Sequence, residues 1–177
     1  MLFRSINDAV EMARLDTANI EVNLERSNLG ELVREVIASM HKEIDGRPLE
    51  VVCDGEQPAI AVDQRLVKLA IKQLLDNALK YSAPGRPVTV RIRDGDGMMT
   101  VDVTDHGRGI PPIEQARVFE RFYRSPSVKK QMPGSGLGLS IAHAIARAHN
   151  GDLTVTSRPG ETTFRLILPT THKGVRS

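Results

Sequence analysis

Four short stretches carry residue types from which a phosphate-handling site can be built. In DQRLVKLAIKQLLDNALK, at 63–80, Leu66, Val67, Ala70, Ile71, Leu74, Leu75 and Ala78 fall on one helical face. Gln73, Asp76, Asn77 and Lys80 gather within about a quarter turn opposite it. Asn77 is a poor helix former whose amide carbonyl suits a hard cation such as Mg²⁺, and Lys80 can meet phosphate as a point charge. Taken alone, a solvated polar stripe is the plainer reading. In DHGRGIP, at 105–111, Gly107 and Gly109 let backbone approach a ligand, and the Asp105 carboxylate can accept from an exocyclic amine such as that of adenine. An ordinary turn carries the same pattern. In VFERFYR, Phe119 and Phe122 are spaced for one helical face and are expected as core anchors, with Arg124 beyond them able to reach phosphate. Finally, in PGSGLGLSIA, Gly134, Gly136 and Gly138 expose successive N–H groups at the positive end of a helix, an arrangement that holds phosphate. A dinucleotide fingerprint would need glycine at Leu139, and a P-loop would need Lys and then Ser or Thr where Leu139 and Ser140 stand. Neither motif fits.

These stretches must be placed by the elements around them. Leu2, Phe3, Ile6, Ala9, Val10 and Ala13 give residues 2–20 one apolar helical stripe that needs a partner. Ser27 or Asn28 can cap a second helix through about Ile44, stopped by DGRP, and β-like runs PLEVVCD and AIAV follow. Asp63 caps the helix of the first stretch. PVTVRIRDGDGMMTVDVTD reads as a hairpin around an Asp-Gly turn. A short helix is expected over 112–119, then a polar segment, then the helix behind the glycines, ended by Asn150 and Gly151. DLTVTS and TTFRLILP form a last strand pair. Hairpins mixed with isolated helices predict an α+β fold: a two-layer sandwich whose mixed, mostly antiparallel sheet carries its helices on one face.

At 177 residues the chain has length for one compact domain with a short appendage. Its 24 basic and 22 acidic residues are interspersed and aromatics make up only 3%, which argues against nucleic-acid binding. A lone Cys53 excludes an intrachain disulfide and suits a reducing, cytoplasmic compartment. Arg4, Asp8 and Glu11 interrupt any signal-peptide core, and no run approaches the roughly 18 apolar residues of a span, so no membrane contact by this chain is expected.

In this order and spacing, LLDNALKYS, DHGRGIP, VFERFYR and GSGLGLSIA resemble the N, G1, F and G2 boxes of sensor histidine kinases, whose catalytic domain belongs to the GHKL ATPases, and GETTFRLILP resembles the usual end of that domain. The resemblance covers roughly residues 24–169 and implies ATP with Mg²⁺ as ligands. It implies that Asn77, with Gln73, ligates Mg²⁺, that Lys80 contacts phosphate, and that Tyr81 packs on adenine. Asp105 would accept the adenine amino proton, with Gly107, Gly109 and Ile110 shaping the pocket and Thr163 joining through a water. Gly134, Ser135, Gly136, Leu137, Gly138 and Leu139 would line a lid, with the 124–135 segment mobile until phosphate contacts order it. Arg124 would approach the γ-phosphate, and Asp76 would polarise the receiving histidine.

Two positions depart from the pattern: Gln73 stands where many members carry Asn, and His106 where Asn is usual. Members receive phosphate on a histidine in a motif like H-E-x-R-T-P, and none of His41, His106, His143, His149 or His172 lies in one. INDAVEMARLDTANIEV resembles the end of a second dimerisation helix, and EMARLDTANIEV and the C-terminal boxes are similar to potassium-responsive sensor kinases. The expected organisation is therefore a helix remnant at 1–23, a catalytic domain at 24–170 and a tail at 171–177. The implied partners are a phosphoacceptor domain and a response regulator, in a parent that can be anchored in the inner membrane. An anti-sigma-type serine kinase is the alternative within the superfamily, and residues 2–20 count against it. A non-catalytic nucleotide-binding module is the other alternative, kept open by Gln73.

Overall fold

The computed structural model describes residues 20–126 and 134–171; the expected helix at 2–20, all but its last residue, lies outside them, as do 127–133 and the tail from 172. β1 (Glu25–Ser27) leads into Asn28, whose side chain accepts the Glu31 N–H and starts α1 (Leu29–Ser39). The helix expected through Ile44 breaks at Met40. There the Ser39 hydroxyl bonds back to the Val36 carbonyl at 2.7 Å and the Met40 N–H turns to Ile37, while the Met40 side chain plugs the core. A separate turn, α2 (His41–Ile44), follows.

β2 (Leu49–Asp54) and β3 (Ile60–Val62) precede α3 (Gln64–Tyr81), which Asp63 caps through the Leu66 N–H at 3.1 Å. β4 (Val88–Gly95) and β5 (Met98–Asp105) form the expected hairpin, with Asp96 and Gly97 both at positive φ as a tight two-residue turn requires. Helix 112–119 shortens to α4 (Pro112–Gln115), and residues 116–122 continue as turns and a bend. α5 (Gly138–Ala148), β6 (Asp152–Arg158) and β7 (Glu161–Pro169) complete the described chain. At the end of α5, Asn150 takes the left-handed conformation, and Gly151 has no room for a Cβ against the Ile167 carbonyl.

The main sheet runs β2-β4-β5-β7-β6, parallel between β2 and β4 and antiparallel elsewhere. β3 instead pairs with β1 in a separate two-stranded sheet. Alternation sends Met99, Val101 and Val103 of β5, and Phe164, Leu166 and Leu168 of β7, into the core beneath the helices. There α3 packs against both α1 and α5, with its whole predicted apolar face buried. Each such buried Leu, Ile or Phe contributes roughly 1.5–3 kcal/mol, which makes α3 the best-anchored platform available for polar side chains. The other sheet face is polar: buried Asp102 is clamped there by Arg165, at 2.7 and 2.8 Å, and by Arg93. No helix among the described residues is long and apolar enough to cross a membrane.

Candidate nucleotide site

The polar stripe of α3 is met by the glycines that open α5. Gln73, Asn77 and Lys80 are all partly buried, and a Cβ on Gly138 would stand 2.6 Å from Gln73 Oε1. A Cβ on Gly134 would stand 2.6 Å from Lys80 Nζ. Side chains at these two positions would push those flexible tips out of the stripe while leaving the backbone in place. Gly136 is required by conformation, with φ 75°; its carbonyl accepts the Phe122 N–H at 3.0 Å, which ties the glycine turn to the VFERFYR segment. Leu137 is buried, Leu139 packs at the core margin, and Ser135 Oγ accepts the Leu137 N–H at 3.3 Å, so these side chains anchor the start of α5. Among the described residues no side chain caps that helix.

Lys80 lies 5.2 Å from the Tyr81 ring centroid. Burial first, and then the nearby Arg124 guanidinium, hold its ammonium below the usual lysine range. An anion placed between the two cations would relieve both effects. Asp76, one step round α3, is ion-paired with Lys72 at 2.9 Å.

Asp105 closes β5, buried, and accepts the Gly107 N–H at 2.9 Å. Burial pushes its carboxyl up to about 6, against the opposing pull of that N–H and of His106. Gly107 has no room for a Cβ against the Tyr81 carbonyl, and a Cβ on Gly109, which is at φ 82°, would collide with the Arg158 carbonyl oxygen. Burial likewise raises the Tyr81 phenol, although Arg124 and Arg108 oppose it. Arg124 thus acts electrostatically on both Lys80 and Tyr81, and the Tyr81 carbonyl meets Gly107 of the Asp105 loop, so the cations and the carboxylate loop share Tyr81 as a neighbour.

Two expectations need correction. Thr163 registers with Thr104, their hydroxyls 2.8 Å apart, on the sheet face opposite Asp105; Thr162 is the residue registered with Asp105. Side chains alternate along a strand, so a shift of one residue changes face. Phe119 is partly buried, edge-on to Phe164 at 6.3 Å, but Phe122 is 69% exposed and at φ 60°, because the turns of 116–122 destroy the helical spacing. Sequence reasoning also missed Ser157, whose Oγ accepts the Ile110 N–H at 2.8 Å. The signal for Thr162 was present: it shares parity with Phe164, Leu166 and Leu168. Ser157 carried no comparable signal, because its partner lies 47 residues away.

No group of three or more His, Cys, Asp or Glu among the described residues could hold a metal. The residues that would hold a metal are instead two amides, Gln73 and Asn77, one helical turn apart on α3. That suits Mg²⁺, which keeps waters and substrate phosphates as most of its ligands. The Gln73 oxygen already faces the start of α5, where such a ligand would have to meet it.

The profile of the histidine kinase-, DNA gyrase B- and HSP90-like ATPase family matches residues 62–172. The sensor histidine kinase CusS of Escherichia coli O157:H7 is 32% identical over 94% of this chain, and the sensor-like histidine kinase SenX3 of Mycobacterium tuberculosis strain H37Rv is 35% identical over 93%. The chain spans 35% and 41% of those relatives' lengths. Among solved structures, the mycobacterial sensor histidine kinase MprB is 33% identical, with TM-score 0.72 over 83% of this chain and 97% of that one. Full-length ShkA in complex with AMPPNP is 27% identical, with TM-score 0.81 over 99% of this chain and 37% of that one.

Proposed function

The chain belongs to the histidine kinase-, DNA gyrase B- and HSP90-like ATPase family, and from that membership we propose how it works as the ATP-binding catalytic domain of a sensor histidine kinase. It passes the γ-phosphoryl group of ATP to a histidine on a dimerisation domain, for relay to a response regulator. The observation that carries this reading is the gathering around Tyr81 of the Asp105 loop, whose Gly107 packs on the Tyr81 carbonyl, and of Lys80 and Arg124, with Lys80 beside Gly134 of the glycine turn.

Asp105 accepts from the adenine amino group while Tyr81 covers the ring. Because Asp105 registers with Thr162, the role expected of Thr163 passes to Thr162. Lys80, Arg124 and the N–H groups at the start of α5 hold the phosphates, with Gly134, Gly136 and Gly138 allowing the backbone to close over them. Gln73 and Asn77 would hold Mg²⁺, which supplies further neutralisation of phosphate charge. Phosphoryl transfer asks the protein chiefly for positioning and charge neutralisation, and these residues provide both. Asp76 polarises the receiving histidine. The AMPPNP bound to ShkA supports a nucleotide here, and the sensor-kinase relatives favour histidine over serine as acceptor.

The test is transfer in trans. Mixed with Mg-ATP and the parent's dimerisation hairpin, the chain should form acid-labile, alkali-stable phosphohistidine on the hairpin. Asn77→Ala should abolish transfer, and Asp76→Ala should slow it more than it weakens ATP binding. Acid-stable phosphoserine on a partner would replace this reading with the anti-sigma-type one.

A further inference from the structure

The loop 105–111 and the last hairpin meet at one hydroxyl. Ser157 Oγ lies 2.8 Å from the Ile110 N–H, 2.7 Å from Thr162 Oγ1 and 3.3 Å from the Glu161 carbonyl. Gln115 Nε2 stitches the same joint, donating to the Ile110 carbonyl at 2.9 Å and to the Ser157 carbonyl at 3.0 Å. Thr162 is buried, registered with Ser157 on one side and with Asp105 on the other. Opposed side chains on one sheet face stand about 5 Å apart, so Thr162 and Asp105 are neighbours on the face that carries the helices.

The protons at this joint can be counted. A hydroxyl offers one proton and two lone pairs. The Ile110 N–H can only donate to Ser157, and the Glu161 carbonyl can only accept from it. All three contacts of Ser157 are made together only when its proton goes to Glu161 and the Thr162 proton goes to Ser157. The reverse orientation leaves the Glu161 contact unmade.

We infer that Ser157 is a positioning residue for purine selection: it fixes Ile110 of the pocket loop and takes the Thr162 proton, leaving the Thr162 oxygen as a second acceptor beside Asp105. This rests on the adenine reading of Asp105. Two acceptors at one edge favour a 6-amino purine, which donates, over a 6-oxo purine, which presents another acceptor. Without the Ser157 hydroxyl, Thr162 regains a proton to offer to an oxo group, and the loop loses its tie.

The test is calorimetric binding of ATP and inosine triphosphate, which differ at this edge of the base. The wild-type chain should prefer ATP, and Asp105→Asn should collapse that preference. Ser157→Ala should weaken ATP binding and narrow the preference, each by about tenfold, the worth of one hydrogen bond. Ser157→Thr should restore both. Thr162→Val should narrow the preference similarly, and the Ser157→Ala, Thr162→Val double variant should narrow it no further; the Val variant carries the test if Ser157→Ala does not fold. An unchanged preference in Ser157→Ala, with Asp105→Asn still collapsing it, would overturn the inference and leave the adenine reading standing. Equal wild-type affinities for the two nucleotides would overturn both.

Discussion

Asp105 is held where its charge is costly to the fold and useful to a ligand. Its carboxyl titrates at about 6 because burial outweighs the Gly107 N–H and His106. Between 3.8 and about 6 the folded chain keeps a proton that the unfolded chain has released. Stability should therefore fall as pH rises through that window and level off above it. Asp105→Asn should remove this slope, so that urea unfolding shows the variant gaining on wild type between about pH 4.5 and pH 7.5. The same variant should bind ATP about 1.5–3 kcal/mol more weakly, the worth of a charge-assisted hydrogen bond. Stability and affinity moving in opposite directions would mark Asp105 as a ligand-reading group; a loss of both would make it merely structural.

Among the elements, α5 meets the polar stripe of α3 at its start and the cap of α3 at its end. At its start, Gly138→Ala would push the flexible end of Gln73 aside. Because a side-chain tip and not backbone gives way, the melting temperature should change little. The gain in ATP affinity on adding Mg²⁺ should shrink, and nucleotide titrations with and without the ion measure that directly. At its end, buried His149 accepts the Asp63 N–H through Nε2 at 3.0 Å, with Nδ1 2.8 Å from the Ile145 carbonyl. Asp63 in turn accepts the Asn23 N–H and caps α3, so one joint ties α5, α3 and the segment before β1. His149→Ala orphans the Asp63 N–H in the core and should cost about 1–3 kcal/mol in chemical denaturation, more if the cavity does not collapse. ATP should also slow hydrogen exchange at 134–138, and protection there that is unchanged by nucleotide would contradict a lid.

For the whole molecule, binding and transfer are separable. The chain should bind Mg-ATP and yet fail to label itself with γ-³²P-phosphate, because in-line transfer needs a nucleophile within a few ångströms. His149 is buried, His143 faces Asp152 at 3.3 Å, and neither His41 nor His106 lies in an acceptor motif; His172 lies outside the described residues. Robust self-labelling would show that the acceptor has been misplaced. The polar sheet face around Asp102 lies on the far side of the sheet from Asp105 and Thr162. Arg91→Ala there should leave ATP affinity within a factor of about two of wild type, as expected for a substitution remote from the ligand.

The sequence by itself determined what depends on local pattern: the Asp63 cap, the apolar face of α3, a hairpin about an Asp-Gly turn and the glycine turn into α5, while the structure chose Asn28 over Ser27 as a cap and Asp96-Gly97 as the turn. These follow from side-chain spacing within a few residues, and so does the grouping of Gln73, Asn77 and Lys80 on one stripe. Tertiary structure decided what depends on register and on contacts distant in the chain. Only the pairing of β5 with β7 puts Thr162, and not Thr163, beside Asp105. Only the packing of α5 on α3 sets Gly138 against Gln73, and only the meeting of the loop with the last hairpin makes Ser157 part of the site. The physical reason is that periodicity tells which way a side chain points from its own backbone, while the groups it meets are set by where the core brings that backbone to rest.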